Sequence, residues 1–216
     1  APSPKSSAWP GCWPGWLLRN SRSAAATASR PGTTTGVAGG EPLSVDLDAA
    51  GRILVRTRNA LLASDDQGAS WQTLIEIPSS AGAVVAPDLA PGTLLVSDDY
   101  GLFRSTDAGQ SFGHVAGFAD VYALREIPGT TRVLAAELSR TQRSEDAGAT
   151  WQIVGGLPER ISTFAVGLSG GVMAVGNGVA FSADGGLTWT ARSAPTPSRI
   201  AYAAPDPTAN SVALMT

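Results

Sequence analysis

The chain has 216 residues, of which 43% are hydrophobic and 15% charged, and its formal net charge is −3. That length can bury one full core, and so small a negative charge offers no broad basic surface to nucleic acid or an anionic membrane. A single cysteine, Cys12, excludes an intramolecular disulfide and any Cys-rich metal site, while a single histidine, His114, argues against histidine triads and histidine zinc sites.

Residues 1–42 come first and read as an unstructured leader or linker. The stretch is rich in Pro, Ser, Ala, Thr and Gly and has no sustained period. Trp9, Trp13 and Trp16 beside Leu17 and Leu18 could form a small apolar plug, but Pro10 and Pro14 break any helix there. A basic region, an apolar region and a cleavage site do not follow in the order a secretion signal requires. No run of 18 apolar residues occurs anywhere, so no membrane-spanning helix is expected.

From residue 43 the chain repeats. The phrases SDDQGASW (64–71), STDAGQSF (105–112), SEDAGATW (144–151) and SADGGLTW (182–189) place their serines 41, 39 and 38 residues apart. A period near 40 marks a repeat architecture. In each phrase the serine (Ser64, Ser105, Ser144, Ser182) is followed two residues later by an aspartate (Asp66, Asp107, Asp146, Asp184) able to accept bonds from the N–H groups after it. A glycine (Gly68, Gly109, Gly148, Gly186) supplies the positive φ of a tight bend. An aromatic (Trp71, Phe112, Trp151, Trp189) then opens the next apolar run, anchoring it on a neighbouring strand or repeat.

Four short strands are predicted around each phrase. Strand a reads LSVDLD (43–48), AVVAP (83–87), VYALREI (121–127) and STFAVGL (162–168); strand b reads ILVRT (53–57), TLLVS (93–97), RVLAAEL (132–138) and VMAVG (172–176). Strand c runs into the phrase as ALLAS, LFRS, TQRS and VAFS, and strand d leaves it, as in WQTLIEI (71–77) and WQIVGGL (151–157). A fifth repeat begins with RIAYAAP (199–205) and SVALMT (211–216). The expected units are 43–77, 83–118, 120–158, 161–194 and an incomplete 198–216.

The phrase resembles the Asp-box, or BNR repeat, of sialidases, sortilin-type receptors, xyloglucanases and photosystem II assembly factors. The resemblance covers residues 43–216 and implies an all-β fold: a β-propeller of four-stranded blades, here four blades plus part of a fifth. Propellers of this kind close on about six to eight blades and protect their strand edges by closing. The chain is therefore expected to be a fragment, or to take blades from another chain, and to self-associate through open edges. The family places the phrase away from the chemistry, so its aspartates are expected to be structural. A fold shared by hydrolases, receptors and assembly factors does not choose among them.

In a propeller the b–c and d–a corners share the face that meets ligands. The expected residues there are Arg58, Asn59, Asp98, Asp99, Tyr100, Glu137, Arg140 and Asn177, joined by Asp120, Glu159, Arg160 and Arg199. A sialidase would draw its arginines from Arg58, Arg140 and Arg160, its nucleophile pair from Tyr100 and Glu137, and its acid or base from Asp99. The family's Phe/Tyr-Arg-Ile-Pro motif is not matched, however, because Glu126 interrupts LREIP (124–128). A xyloglucanase would use Asp98 or Asp99 with Glu137 across a sugar cleft. Solvated corners are the competing reading. GVAGG (36–40) and GLSGG (167–171) lack the Lys-Ser/Thr of a phosphate loop, and no cofactor or metal site is expected. The compact repeats favour a non-catalytic binding or assembly scaffold for a protein or carbohydrate ligand, outside the cytoplasm by family analogy. The alternative is a glycoside hydrolase of the sialidase or xyloglucanase type.

Overall fold

The computed structural model describes residues 40–79, 82–87, 90–167 and 170–192, together with the backbone of 202–205 and 212–215. The residues before 40, including Cys12 and the three leader tryptophans, and Arg199 lie outside the described residues.

The described chain is all β-strand and corner. The first sheet joins β1 (Pro42–Leu47), β2 (Ile53–Thr57), β3 (Ala60–Ser64) and β4 (Gln72–Glu76) in that order; the second joins β5 (Val84–Val85), β6 (Leu94–Asp98), β7 (Gly101–Ser105) and β8 (Gly113–Val115). The third joins β9 (Ala123–Glu126), β10 (Val133–Ala136), β11 (Thr141–Ser144) and β12 (Gln152–Val154); the fourth joins β13 (Thr163–Val166), β14 (Val172–Val175), β15 (Val179–Ser182) and β16 (Thr190–Arg192). Each is an antiparallel meander, and β17 (Tyr202–Pro205) pairs with β18 (Val212–Met215) as a further hairpin. The first strands of successive sheets are neighbours, β1 beside β5, β5 beside β9, β9 beside β13 and β13 beside β17. The sheets are therefore the blades of a β-propeller, with strand a innermost. Strand d is outermost and mostly exposed, which suits its polar content.

The core lies between blades, because a sheet apolar on both faces must be covered on both. Leu54, Leu61 and Ile77 of blade 1 meet Val84, Leu94 and Val96 of blade 2. Leu95, Leu102 and Phe118 of blade 2 meet Val121, Leu124 and Val133 of blade 3. Ile127, Leu134 and Ala136 of blade 3 meet Phe164, Val166 and Val172 of blade 4. Within strand b, Leu54, Leu95 and Leu134 occupy equivalent register positions, each opposite the residue just before the phrase serine. Each faces the blade that follows. Side chains also cross between the inner strands, where Ser44 Oγ accepts from the Val84 N–H (3.0 Å) and Asp46 Oδ2 from the Ala86 N–H (2.9 Å).

Candidate functional site

The repeated phrase folds identically four times. In the third copy Ser144 Oγ donates to Asp146 Oδ1 (2.8 Å) and accepts from the N–H groups of Asp146 and Gly148 (3.2 and 2.8 Å). Asp146 Oδ1 accepts from the Thr150 N–H (2.8 Å), and Oδ2 from the Thr150 hydroxyl (2.7 Å). Ser70, Ser111 and Thr188 play the part of Thr150 in the other copies. This hydroxyl is a repeated member of the phrase that the sequence reading passed over; its signal was Ser or Thr at the seventh position of every copy.

The expected glycine bend is in fact a pair of left-handed residues. Gln67 (φ 60°), Ala108 (φ 59°) and Ala147 (φ 54°) precede Gly68, Gly109 and Gly148 in that conformation, and Gly185 does so in the fourth copy. The glycine itself is demanded by contact as well as by φ. A Cβ at Gly109 would stand 2.7 Å from Leu74 of the preceding blade, at Gly148 2.7 Å from Leu95, and at Gly186 2.9 Å from Leu134.

Three of the four aromatic anchors pack into the core shared with the preceding blade. Phe112 joins the cluster between blades 1 and 2, Trp151 that between 2 and 3, and Trp189 that between 3 and 4. The Trp151 ring stands edge-on to Phe118, with centroids 4.9 Å apart. Trp71 belongs to none of these clusters, because blade 1 has no preceding blade among the described residues.

Hydrogen bonding settles the electrostatics of the corners. Donation by Ser70 and Ser64 holds Asp66 down from the ordinary 3.8 to about 2, and donation by Ser111 and Ser105 does the same for Asp107. For Asp146 burial works in the opposite direction but is outweighed by Thr150 and Ser144. Asp184 is likewise lowered, burial being outweighed by Thr188 and Ser182. In each copy both carboxylate oxygens are engaged within their own corner. On this same end of the blades, Ala108 N–H bonds Gly92 O and Ala147 N–H bonds Thr131 O, each at 2.8 Å, tying the a–b and c–d corners together.

The b–c and d–a corners meet at the other end. Asp99 N–H donates to Ser79 Oγ (3.0 Å), Asn177 N–H to Glu159 O (3.0 Å), and Ala119 N–H to Glu137 Oε1 (2.8 Å). Every b–c corner of blades 2 to 4 is thereby fastened to the d–a corner before it. Glu137 is the centre of the third contact. Only 5% exposed, its carboxylate also accepts from Arg140 Nε and from Gln142 Nε2 (3.0 Å), and both of those side chains reach Gly117 O. Burial pushes the Glu137 carboxyl upward, yet the bonds from Arg140, the Ala119 N–H and Gln142 outweigh it, leaving the group below the ordinary carboxylate range.

A shallow depression of about 220 Å³ lies on this end, lined among others by Glu137, Arg140, Ile153, Leu157, Glu159 and Arg160. It brings together three of the six residues proposed from sequence for a glycosidase: Glu137, Arg140 and Arg160. Arg58, Asp99 and Tyr100 belong to blades 1 and 2 and do not line it. Arg58 is exposed and ion-paired with Glu41 (2.8 Å), and Tyr100 is 75% exposed. Arg160 adopts a left-handed φ of 54°, as Asp120 does (51°) in the corresponding corner one blade earlier. Asp98 is buried and closes its own corner by accepting from the Tyr100 N–H (2.8 Å). Thr57 closes the first blade's corner from the same register position, accepting from the Ala60 N–H (3.1 Å).

Sequence reasoning missed Arg56. It is fully buried at the end of β2, with Nε donating to Ser97 O (3.3 Å) and Nη1 to Thr57 O. Burial lowers its pKa, and Asp98 and Asp99 oppose that lowering. Its place in a strand predicted to be apolar gave no signal beyond the charge itself. His114 sits on the outer strand β8, edge-on to Phe103 at 5.4 Å. Among the described residues no cluster of three His, Cys, Asp or Glu could hold a metal ion, and no helix is long and apolar enough to cross a membrane.

No family model matches the chain, and no curated protein sequence matches it. Solved structures do. The GH74 xyloglucanase from Xanthomonas campestris aligns with a TM-score of 0.68 at 21% identity, over 85% of this chain and 29% of that one. YCF48 bound to D1 peptide aligns with a TM-score of 0.57 at 14% identity, over 76% and 58%. The extracellular domain of a hybrid two component system from B. thetaiotaomicron aligns with a TM-score of 0.60 at 16% identity, over 81% and 27%. The chain thus spans between a quarter and a third of the GH74 chains it matches. At such identities the likeness is one of fold, and that fold is the β-propeller.

Proposed function

We propose that the chain is a non-catalytic binding or assembly propeller of the Asp-box type, working outside the cytoplasm, which takes a protein or carbohydrate ligand on the face formed by its b–c and d–a corners. The observation that carries this reading is Glu137. A glycosidase needs one carboxyl group that gives a proton to the leaving group and a second, ionised one that serves as base or nucleophile, and both must be free to reach the sugar. The Glu137 carboxylate is buried, held ionised and spent on Arg140, Gln142 and the Ala119 N–H. Its role is to fasten one corner to another.

The exposed groups on the same face suit contact better than chemistry. Tyr100 presents a large amphipathic ring, and Ile153 (67% exposed) stands at the rim of a depression smaller than the roughly 300–1,000 Å³ of most small-molecule sites. Likeness to YCF48 bound to D1 peptide and to an extracellular domain supports both the mode of action and the location. Self-association through open blade edges accompanies this function.

The second reading is a glycoside hydrolase with Asp99 and Glu137 as its acids, favoured by the GH74 likeness. Titration calorimetry with xyloglucan oligosaccharides and with extended peptides distinguishes the two. The binding reading expects association without new reducing ends, weakened about tenfold, or ~1.4 kcal/mol, by Tyr100→Ala. Release of reducing ends by the wild-type chain, or affinity indifferent to both Tyr100→Ala and Arg160→Ala, overturns it.

A further inference from the structure

We infer that the b–c and d–a corners of blades 2 and 3 form one docking surface, and that its occupant is an extended basic segment of a partner protein, with large apolar side chains beside its lysines or arginines. This rests on the ligand-binding reading above and chooses a polypeptide over a carbohydrate.

Among the described residues six large apolar side chains are exposed, and four of them, Tyr100, Tyr122, Leu138 and Ile153, lie on this end of blades 2 and 3, at 75%, 47%, 42% and 67% exposure. Each of these blades has a neighbour on either side, so the exposure does not belong to an uncovered outer blade. The four are joined through the backbone beneath them. Tyr100 precedes Gly101, where a Cβ would stand 3.1 Å from Phe118 O of the next corner. That corner continues to Ala119, whose N–H donates to Glu137 Oε1 (2.8 Å), and to Tyr122, whose N–H donates to Ala136 O (2.9 Å). Leu138 follows Glu137 directly, and Glu137 and Ile153 line the same depression. Exposed apolar groups gathered in one place, rather than scattered singly, mark an interaction surface.

The charge beside the tyrosines selects the occupant. These corners hold Asp98, Asp99, Asp120 and Glu137 against Arg56 and Arg140. Arg140 is ion-paired with Glu137, and Arg56 is shared between Asp98 and Asp99. At the borders of the surface Arg58 is matched by Glu41, and the adjacent Glu159 and Arg160 cancel. Negative charge therefore predominates around the tyrosines, next to which Asp99 and Asp120 stand in the chain. An exposed tyrosine ring beside a carboxylate suits a lysine ammonium or an arginine guanidinium, which gains a cation–π contact and a countercharge together. Leu138 and Ile153 complete the choice. Aliphatic side chains give a sugar neither a flat ring to stack on nor a partner for its hydroxyls, whereas they fit the apolar side chains of a polypeptide. Since the four apolar groups come from separate segments of two blades, a partner meets them all by lying across the corners in extended form.

Fluorescence anisotropy tests this with three labelled peptides, one alternating arginine with leucine, one alternating arginine with serine and one alternating glutamate with leucine, and with thermal melting recorded for every variant. The arginine–leucine peptide is expected to bind, the arginine–serine peptide about tenfold more weakly, and the glutamate–leucine peptide not at all. Tyr122→Ala and Asp120→Asn are each expected to weaken the arginine–leucine peptide about tenfold. Their melting is expected to be retained, because both side chains are exposed and asparagine accepts the left-handed φ of Asp120 (51°). Leu187→Ala, exposed at the opposite end of the blades, is expected to change nothing. Equal affinity for the two arginine peptides reduces the contact to charge alone and overturns the proposal. So does a loss in Leu187→Ala equal to that in Tyr122→Ala, or the absence of peptide binding. Where xyloglucan oligosaccharides bind in place of the peptides and Tyr100→Ala weakens them, the choice of a polypeptide falls and the binding reading stands. Release of reducing ends from those oligosaccharides brings down the binding reading itself.

Discussion

Gly148 lies against Leu95 of the preceding blade so closely that a Cβ on the glycine would stand 2.7 Å from Leu95 Cδ2. Position and conformation are thus fixed together: φ is +80°, and the space beside the α-carbon is already filled by a neighbour's side chain. Gly129 separates the two effects, for it shares a positive φ (+73°) but a Cβ there would meet nothing within 4 Å.

Gly129→Ala is expected to cost about 1 kcal/mol, from backbone strain alone. Gly148→Ala adds an overpacked contact and is expected to cost about 1–3 kcal/mol more. Urea unfolding of the two variants measures the difference, and equal costs contradict the inter-blade role of the corner glycine.

Ser144→Ala removes an acceptor that serves two N–H groups and the donor that steadies Asp146. Ser144 is fully buried, so the Gly148 N–H is left without a partner. A loss of about 1–3 kcal/mol is expected in equilibrium unfolding. Ligand affinity at the opposite end is expected to stay unchanged.

Acid sensitivity follows from the aspartates. Asp66 and Asp107 have folded pKa values of about 2, below the ordinary 3.8, so the folded state binds fewer protons than the unfolded one at intermediate pH. Their contribution to stability is complete above about pH 5 and disappears as pH falls from about 4 through 2. Melting temperature followed from pH 7 to 2 should hold and then drop over that window. The drop should shrink in Asp66→Asn and Asp107→Asn.

Much of this fold was legible in the sequence because its signal is local. Ser, Asp, Gly and the aromatic lie within eight residues, and their bonds close within the same corner, so four copies in register disclose the blade. The features that stayed hidden depend on distant partners. Arg52 meets Ala108 and Arg104 meets Ala147 across 56 and 43 residues, and nothing near either arginine foretells the carbonyl. Glu137 read as one acid among several corner residues; the bond it accepts from the Ala119 N–H of the preceding corner, and the Arg140 side chain it shares with Gly117 O, changed its meaning. Strand β5 has only two paired residues where five were predicted, Pro87 being unable to extend the ladder.

Arg140→Ala tests the fastening of the corners. It leaves Glu137 buried with two donors in place of three, so the carboxyl pKa is expected to rise. Carbon-detected NMR titration of the carboxyl reads the direction, and faster amide exchange at Ala119 should accompany it. An unchanged pKa means that Arg140 does not hold the carboxylate in solution.

The most direct test of the binding reading is turnover by the wild-type chain and by Glu137→Gln on xyloglucan and on sialyl substrates, with thermal melting measured on the same samples. The expected result is no product from either protein and a lowered melting temperature for Glu137→Gln, as befits a buried group that joins two corners. Turnover by the wild-type chain that Glu137→Gln abolishes at an unchanged melting temperature would contradict it and make Glu137 a catalytic residue.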